Sequence, residues 1–304
     1  MLKPGELEIA RKLPPNGCSP AEAQKYTQRL ATHHYENFNM VSWLLPRDLH
    51  QHFYNVYAYC RWADDLGDEI SSKERALELL DWWERELEDC YDGQPSHPVF
   101  VALRETIVAK DIPKKPFLDL LKAFRQDQVV KRYATWDGVL DYCVYSANPV
   151  GRLVLYLCGY RDEERQRLSD ATCTALQLAN FWQDVVEDAE RGRRYIPADA
   201  IVRFGVDEGQ ILGRVFTPEF RAMMQDLVVR TRAMLLEGGA ISGFVDKDLK
   251  VTLDLFRKGG EAILDGIEAE NFDVLRGRPV VTKLKKLSLL MGALVGKARM
   301  GFSG

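Results

Sequence analysis

A polar stripe set into an otherwise apolar helix constrains this chain more than any other feature. Between residues 177 and 197, QLANFWQDVVEDAERGRRYIP, the side chains Gln177, Asn180, Asp184, Asp188 and Arg191 recur at steps of three and four. On one α-helix that spacing stacks them along a single face. Leu178, Phe181, Trp182, Val185 and Val186 flank the stripe and would bury much of the helix, carrying the carboxylates inward. A buried carboxylate is costly unless a cation or a set of donors accompanies it. Asp184 and Asp188 therefore suggest a hard divalent metal, with Asn180 as a further oxygen ligand. The alternative is a solvated acidic face capped by Arg191.

A second stripe tilts that choice. In the segment 47–69, RDLHQHFYNVYAYCRWADDLGDE, the residues Tyr57, Arg61, Asp64, Asp65 and Asp68 share one helical face, with Val56, Ala58, Trp62 and Leu66 beside them. Acids at a helix C-terminus oppose the macrodipole, a penalty that a bound cation reverses. Two helices carrying this arrangement in apolar company point to a metal site.

Composition excludes several classes. The 304 residues carry a net charge of only −4, and the basic residues form no long patch, so no nucleic-acid partner is expected. The six cysteines lack the close spacing of a zinc or redox motif and read as reduced core residues. His33 and His34 have no helically spaced partner histidine and read as loop residues. No run approaches the roughly 18 apolar residues of a membrane span, so the expected location is cytoplasmic.

The rest of the chain reads as helix after helix, an all-α fold. Residues 1–18 form a loose arm, and 19–300 a single domain. Ser19-Pro20-Ala21-Glu22 supplies a capping box with proline at the first helical position. Ser71 and Glu74 suggest another such box, and helices follow over 99–109 and 113–131. Asp127, at the end of the second of these, reads as a surface residue. Asn148-Pro149 should interrupt the apolar segment 137–160, leaving Tyr142, Tyr145 and Asn148 as groups directed into a cavity. Thr217-Pro218-Glu219 caps a long helix that Gly238-Gly239 should end. Helices over 246–270 and 281–298 complete the chain, with no period-two run between them.

Two carboxylate stripes binding magnesium would hold a diphosphate and neutralise it as a leaving group. Arg61 and Arg191 would add bidentate contacts to its oxygens. Departure of a diphosphate leaves a carbocation, which aromatic walls stabilise through their ring faces. The implied chemistry is isoprenoid.

The segments that carry these residues resemble the squalene and phytoene synthase family. The matching motifs are Tyr57-Ala58-Tyr59-Cys60-Arg61-Trp62-Ala63-Asp64-Asp65 through Glu69, Tyr142-Cys143 through Gly151, and Asn180-Phe181-Trp182-Gln183-Asp184 through Asp188. Arg191-Gly192-Arg193 and Tyr195-Ile196-Pro197 follow in the family's order. The likeness runs from about Tyr26 to Leu290. It implies the isoprenoid synthase fold, helices around a central cavity. It assigns Mg²⁺ to Asp64, Asp68, Asn180, Asp184 and Asp188, the diphosphate pocket to Tyr57 and Arg61, and the catalytic cavity to Tyr142. Mn²⁺ is the expected substitute metal, and Gln177 lies on the same substrate-facing stripe.

Departures from the family pattern narrow the expectation. Gln183 stands where relatives usually have arginine, Asn148-Pro149 replaces Ala-Gly, Gly260 falls where a phosphate-binding tyrosine is common, and Glu36-Asn37-Phe38 replaces Ser-Phe. These features are similar to the bacterial hydroxysqualene synthases of hopanoid biosynthesis. That subgroup ionises presqualene diphosphate and captures the rearranged cation with water, without NADPH. Asn37, Phe38, Asn148 and Gln183 then become substrate-side residues, with Asn148 or Gln183 positioning the water. The expected partners are a lipophilic prenyl diphosphate, a presqualene diphosphate synthase that hands it over, and the inner membrane surface through peripheral contact. The rival readings are a condensing synthase acting on two prenyl diphosphates and an inactive assembly protein.

Overall fold

The computed structural model describes residues 18–34 and 44–279, and among these the regular structure is helical. The β-type pairing among the described residues is an isolated parallel bridge between Arg132 and Arg194. The described chain divides into two compact units. One holds the residues up to 129 together with 152–161, and the other holds 130–151 and the residues from 162 on. No helix among the described residues is long and apolar enough to cross a membrane. The expected helix over 281–298 lies outside the described residues.

In the first unit, α1 (Pro20–His34) starts where the capping box sets it. The Glu22 N–H donates to Ser19 Oγ at 3.3 Å, and the Ser19 N–H donates back to the Glu22 carboxylate at 3.0 Å. A short 3₁₀ turn, Arg47–Leu49, leads into α2 (His50–Asp68). The helices α3 (Lys73–Tyr91), α4 (Pro98–Lys110) and α5 (Lys115–Val129) follow. The cap of α3 is Ser72 rather than Ser71, because Ser72 has the extended backbone an N-cap needs and its Oγ accepts the Arg75 N–H at 3.3 Å.

The core of this unit is aromatic. Tyr59, Trp62, Trp83, Phe100 and Phe117 are all sealed from solvent, and the Trp62 and Trp83 rings stack 5.3 Å apart. His97 is buried against this cluster and caps α4 by accepting the Val99 N–H on Nδ1 at 3.3 Å. Asp127 is buried, which corrects its reading as a surface residue.

The second unit is organised about α8. Its helices are α6 (Trp136–Ser146), the start of α7 (Asn148–Leu157), α8 (Glu163–Gln183), α9 (Val185–Glu190), α10 (Ala198–Phe204), α11 (Glu208–Leu212), α12 (Pro218–Gly239) and α13 (Lys247–Ala269). The break expected at Asn148-Pro149 falls at Ala147, and proline then sits in the first turn of α7, where its missing N–H leaves no bond unmade. α8 packs against α6, α12 and α13.

Three glycines bring neighbouring helices close to α8. A Cβ on Gly151 would strike Ser169 and Cys173, one on Gly238 would lie 2.6 Å from the Thr172 amide nitrogen, and one on Gly260 would lie 2.6 Å from Leu176 Cδ2. α12 ends at Gly239, as the Gly238-Gly239 pair predicts, and at Gly238 the missing side chain also admits the flank of α8.

Candidate active site

Each unit carries one of the acidic motifs. On α2, Asp64 is partly buried, Asp68 is exposed, and Asp65 is only 1% exposed. The neighbours Asp64 and Asp65 thus differ in use. Arg61 bonds the Asp65 carboxylate and approaches Asp64 at 3.3 Å, so Asp65 serves as the buried counter-ion of Arg61 while Asp64 and Asp68 remain toward solvent. Burial, and then the adjacent Asp68 charge, push the Asp64 carboxyl up to about 6. Tyr57 is half-buried on the same helix. The aromatic residues Tyr59 and Trp62 of this motif are sealed in the core of the unit.

The second motif is not one continuous helix. α8 ends at Gln183, Asp184 adopts φ −101° and ψ 21°, and α9 begins at Val185. Backbone bonds bracket the break: the Asp184 N–H donates to the Asn180 carbonyl at 2.8 Å, and the Asp188 N–H to the Asp184 carbonyl at 2.8 Å. Gln177 is half-buried, Asn180 and Arg191 are exposed, and Asp184 and Asp188 are partly buried. Burial and the Asp184 charge push the Asp188 carboxyl up to about 7. Arg278 meets Asp184 through Nε and Nη2, and the resulting bonds hold the Arg278 guanidinium above its ordinary range.

A cavity of about 140 Å³ opens beside Asp188. Phe181, Val185, Tyr195 and Ile196 line its apolar side, and Arg132, Arg193, Arg194 and Glu208 its polar side. The Phe181 and Tyr195 rings stack at 3.7 Å, with Tyr142 centred 5.8 Å from Tyr195 and Tyr133 centred 5.5 Å from Tyr142. Main-chain bonds from Arg194 to the Lys131 carbonyl at 2.8 Å and from Ala198 to the Tyr133 carbonyl at 3.0 Å fix the intervening loop. Arg132 and Arg194 both pair with Glu208.

Two expected substrate residues have structural work instead. The Gln183 side chain is 4% exposed and donates to the Pro279 carbonyl, which makes it an internal strut. Asn148 is buried, and its Oδ1 accepts the Thr174 hydroxyl at 2.8 Å. Asn37 and Phe38 lie outside the described residues. Arg278 was missed because it is far in sequence from both motifs. Its one signal is that Arg276-Gly277-Arg278-Pro279 echoes the spacing of Arg191-Gly192-Arg193.

The donor sets fit magnesium. Among the described residues no three His, Cys, Asp or Glu side chains converge into a ready-made metal cage. Mg²⁺ does not require one, since it is usually held by one or two carboxylates with substrate phosphate oxygens and water completing its shell. Each motif offers such a carboxylate pair, and burial together with the adjacent like charge displaces Asp64 and Asp188 upward, a cost that a cation would relieve.

Comparison with known proteins places this geometry in a family. Residues 31–285 match the family described as squalene/phytoene synthase. The chain belongs to the squalene/phytoene synthase family. Among curated relatives, the 15-cis-phytoene synthase of Synechococcus elongatus is 29% identical, over 91% of this chain and 94% of its own length. Among solved structures, squalene synthase HpnC from Alicyclobacillus acidocaldarius is 42% identical, with a TM-score of 0.81 over 86% of this chain and 98% of that one. A ligand-bound dehydrosqualene synthase superposes with a TM-score of 0.82 at 25% identity, covering 91% of this chain and 96% of that one. The fold is that of the helical isoprenoid synthases, as the resemblance implied. Members of the family process prenyl diphosphates, so this chain is an enzyme of that chemistry rather than an assembly protein.

Proposed function

We propose that this chain is a hydroxysqualene synthase, which ionises presqualene diphosphate and captures the rearranged cation with water. The observation that carries this reading is the 42% identity to HpnC across 98% of that chain, against 29% for the cyanobacterial phytoene synthase. Bound Mg²⁺ would supply Lewis-acid stabilisation of the departing diphosphate. Asp64 and Asp68 would hold it at the first motif, and Asn180, Asp184 and Asp188 at the second.

The chain's own groups account for the remaining steps. Arg278 presents a fork of donors at Asp184 that suits a diphosphate oxygen pair. The stacked rings of Phe181 and Tyr195, with Tyr142 beside them, offer π-faces to a developing carbocation and no strong nucleophile. Because no hydride is added, no nicotinamide cofactor enters this reading. The substrate is lipophilic, and we extend the reading to peripheral contact with a membrane surface and to hand-over from a presqualene diphosphate synthase.

A second reading, a condensing synthase that makes presqualene diphosphate, dehydrosqualene or phytoene, is favoured by the phytoene synthase relatives and the dehydrosqualene synthase structure. Purified protein incubated with Mg²⁺ and presqualene diphosphate, and separately with farnesyl and geranylgeranyl diphosphates, separates the two by product mass. Hydroxysqualene from the first substrate alone supports the lyase. Consumption of a prenyl diphosphate with formation of a head-to-head product overturns it.

A further inference from the structure

Gln183 and Asp184, successive residues where α8 ends, grip successive residues of a segment far away in sequence. The Gln183 amide donates to the Pro279 carbonyl, and the Asp184 carboxylate accepts from Arg278. Packing also holds both ends of this stretch, where Leu275 and Pro279 are buried, and Arg276 pairs with Asp273 at 2.8 Å. Val274 and Leu275 are sealed in the core, but the Arg276 side chain is 87% exposed and a Cβ on Gly277 would touch nothing within 4 Å. Among the described residues, the main chain of 275–279 makes no hydrogen bond to another main-chain group. Gly277 is therefore a swivel between the buried Leu275 and Arg278.

We propose that Gln183 is a positioning residue that acts through Pro279 to hold Arg278 over the Asp184 motif. The inference rests on the reading of that motif as a magnesium-diphosphate site. A guanidinium that hangs from a free glycine loses rotamer and backbone freedom on engaging an anion, whereas one clamped on its C-terminal side has already lost it. A neutral amide suits the place. Gln183 is buried, and a carbonyl partner satisfies its donor without the desolvation of a charge. The residue thus secures a neighbour's charge without contributing one.

The test is Mg²⁺-dependent binding of inorganic pyrophosphate to the full chain, followed by titration calorimetry in a double-mutant cycle. Gln183→Met keeps side-chain length and removes the donor, and should weaken binding about tenfold, the equivalent of one charge-assisted contact. Arg278→Ala should weaken it at least as much. The double variant should bind no more weakly than Arg278→Ala alone, because the effect of Gln183 passes through that residue. Gln183→His, which keeps an N–H donor, should recover much of the loss.

Equal weakening by Gln183→Met with and without Arg278 would overturn the proposal, as would unchanged binding in Gln183→Met. If Gln183→Met does not fold, Gln183→Leu is read in the same cycle. Failure of the unmodified protein to bind magnesium-pyrophosphate would sink the site reading and this inference together. Normal binding that ignores Gln183 would sink the inference alone.

Discussion

The Arg278 guanidinium reaches across 94 residues of sequence to the Asp184 carboxylate, with Nη2 lying 3.3 Å from Oδ2. The motif thereby contains its own cation. Arg278→Ala should lower kcat/KM for the diphosphate substrate by about tenfold to a hundredfold, the range expected for one lost charge-assisted donor pair. The pair is partly exposed, with side chains 45% and 29% accessible, so the melting temperature should scarcely move. Steady-state kinetics and a thermal scan on the same preparation check both statements.

Asp188 illustrates a site maintained against stability. Its folded carboxyl titrates near 7 because of burial and the Asp184 charge, above its ordinary value of 3.8. Between those two values the folded protein binds the proton that the unfolded chain releases, so ligand-free stability falls as pH rises through this window. Asp188→Asn removes that dependence. In chelator, its advantage in melting temperature over the parent should grow from pH 4 to pH 8, while turnover with Mg²⁺ falls about a hundredfold or more. A variant that is less stable than the parent at pH 8 would contradict this account.

His97 gives the opposite slope. Burial lowers its imidazole to about 3, so the folded ring stays neutral while the unfolded one charges near 6.5. Stability from this group is complete above about pH 6.5 and declines as pH falls toward 3, by up to about 1.4 kcal/mol per pH unit. His97→Asn keeps an acceptor for the Val99 N–H but cannot titrate. Urea unfolding at pH 4, 5 and 7 should show a steeper acid loss for the parent than for the variant.

Two glycine substitutions should have opposite signs. A Cβ on Gly238 would sit 2.6 Å from the Thr172 nitrogen and 2.8 Å from the Leu168 carbonyl oxygen, both backbone atoms that cannot swing aside. Gly238→Ala should destabilise by about 1–3 kcal/mol. Gly259, inside α13, faces open space, and Gly259→Ala should stabilise by about 1 kcal/mol through helix propensity. Denaturant midpoints of the two variants decide the matter.

The helical order of the chain was legible because caps are local. Ser19 and Thr217 announce their helices through side-chain chemistry within three residues, and the structure uses both. The polar stripes were legible for the same reason, since helical spacing groups Asp64 with Asp68 and Asn180 with Asp184. Three things were not. Nothing in Asp64-Asp65 says which acid turns inward, because that depends on where Arg61 finds a partner. The break at Asp184 lies in a run without glycine or proline, so no local residue marks it. Gln183 and Arg278 acquire their uses only when 183–184 and 278–279 meet, a long-range event without a periodic trace.

The three glycines that meet α8 bear on how this enzyme can be redesigned. Gly151, Gly238 and Gly260 belong to three different helices, and each leaves a notch into which the flank of α8 fits. A tyrosine at 260 would have to displace Leu176 from that notch before it could reach any ligand. Grafting a relative's specificity one residue at a time would therefore tilt the mount that carries Asn180 and Asp184. A productive library holds 151, 238 and 260 fixed and diversifies the ring-bearing loop around Tyr195, where new side chains alter the cavity wall without moving its frame.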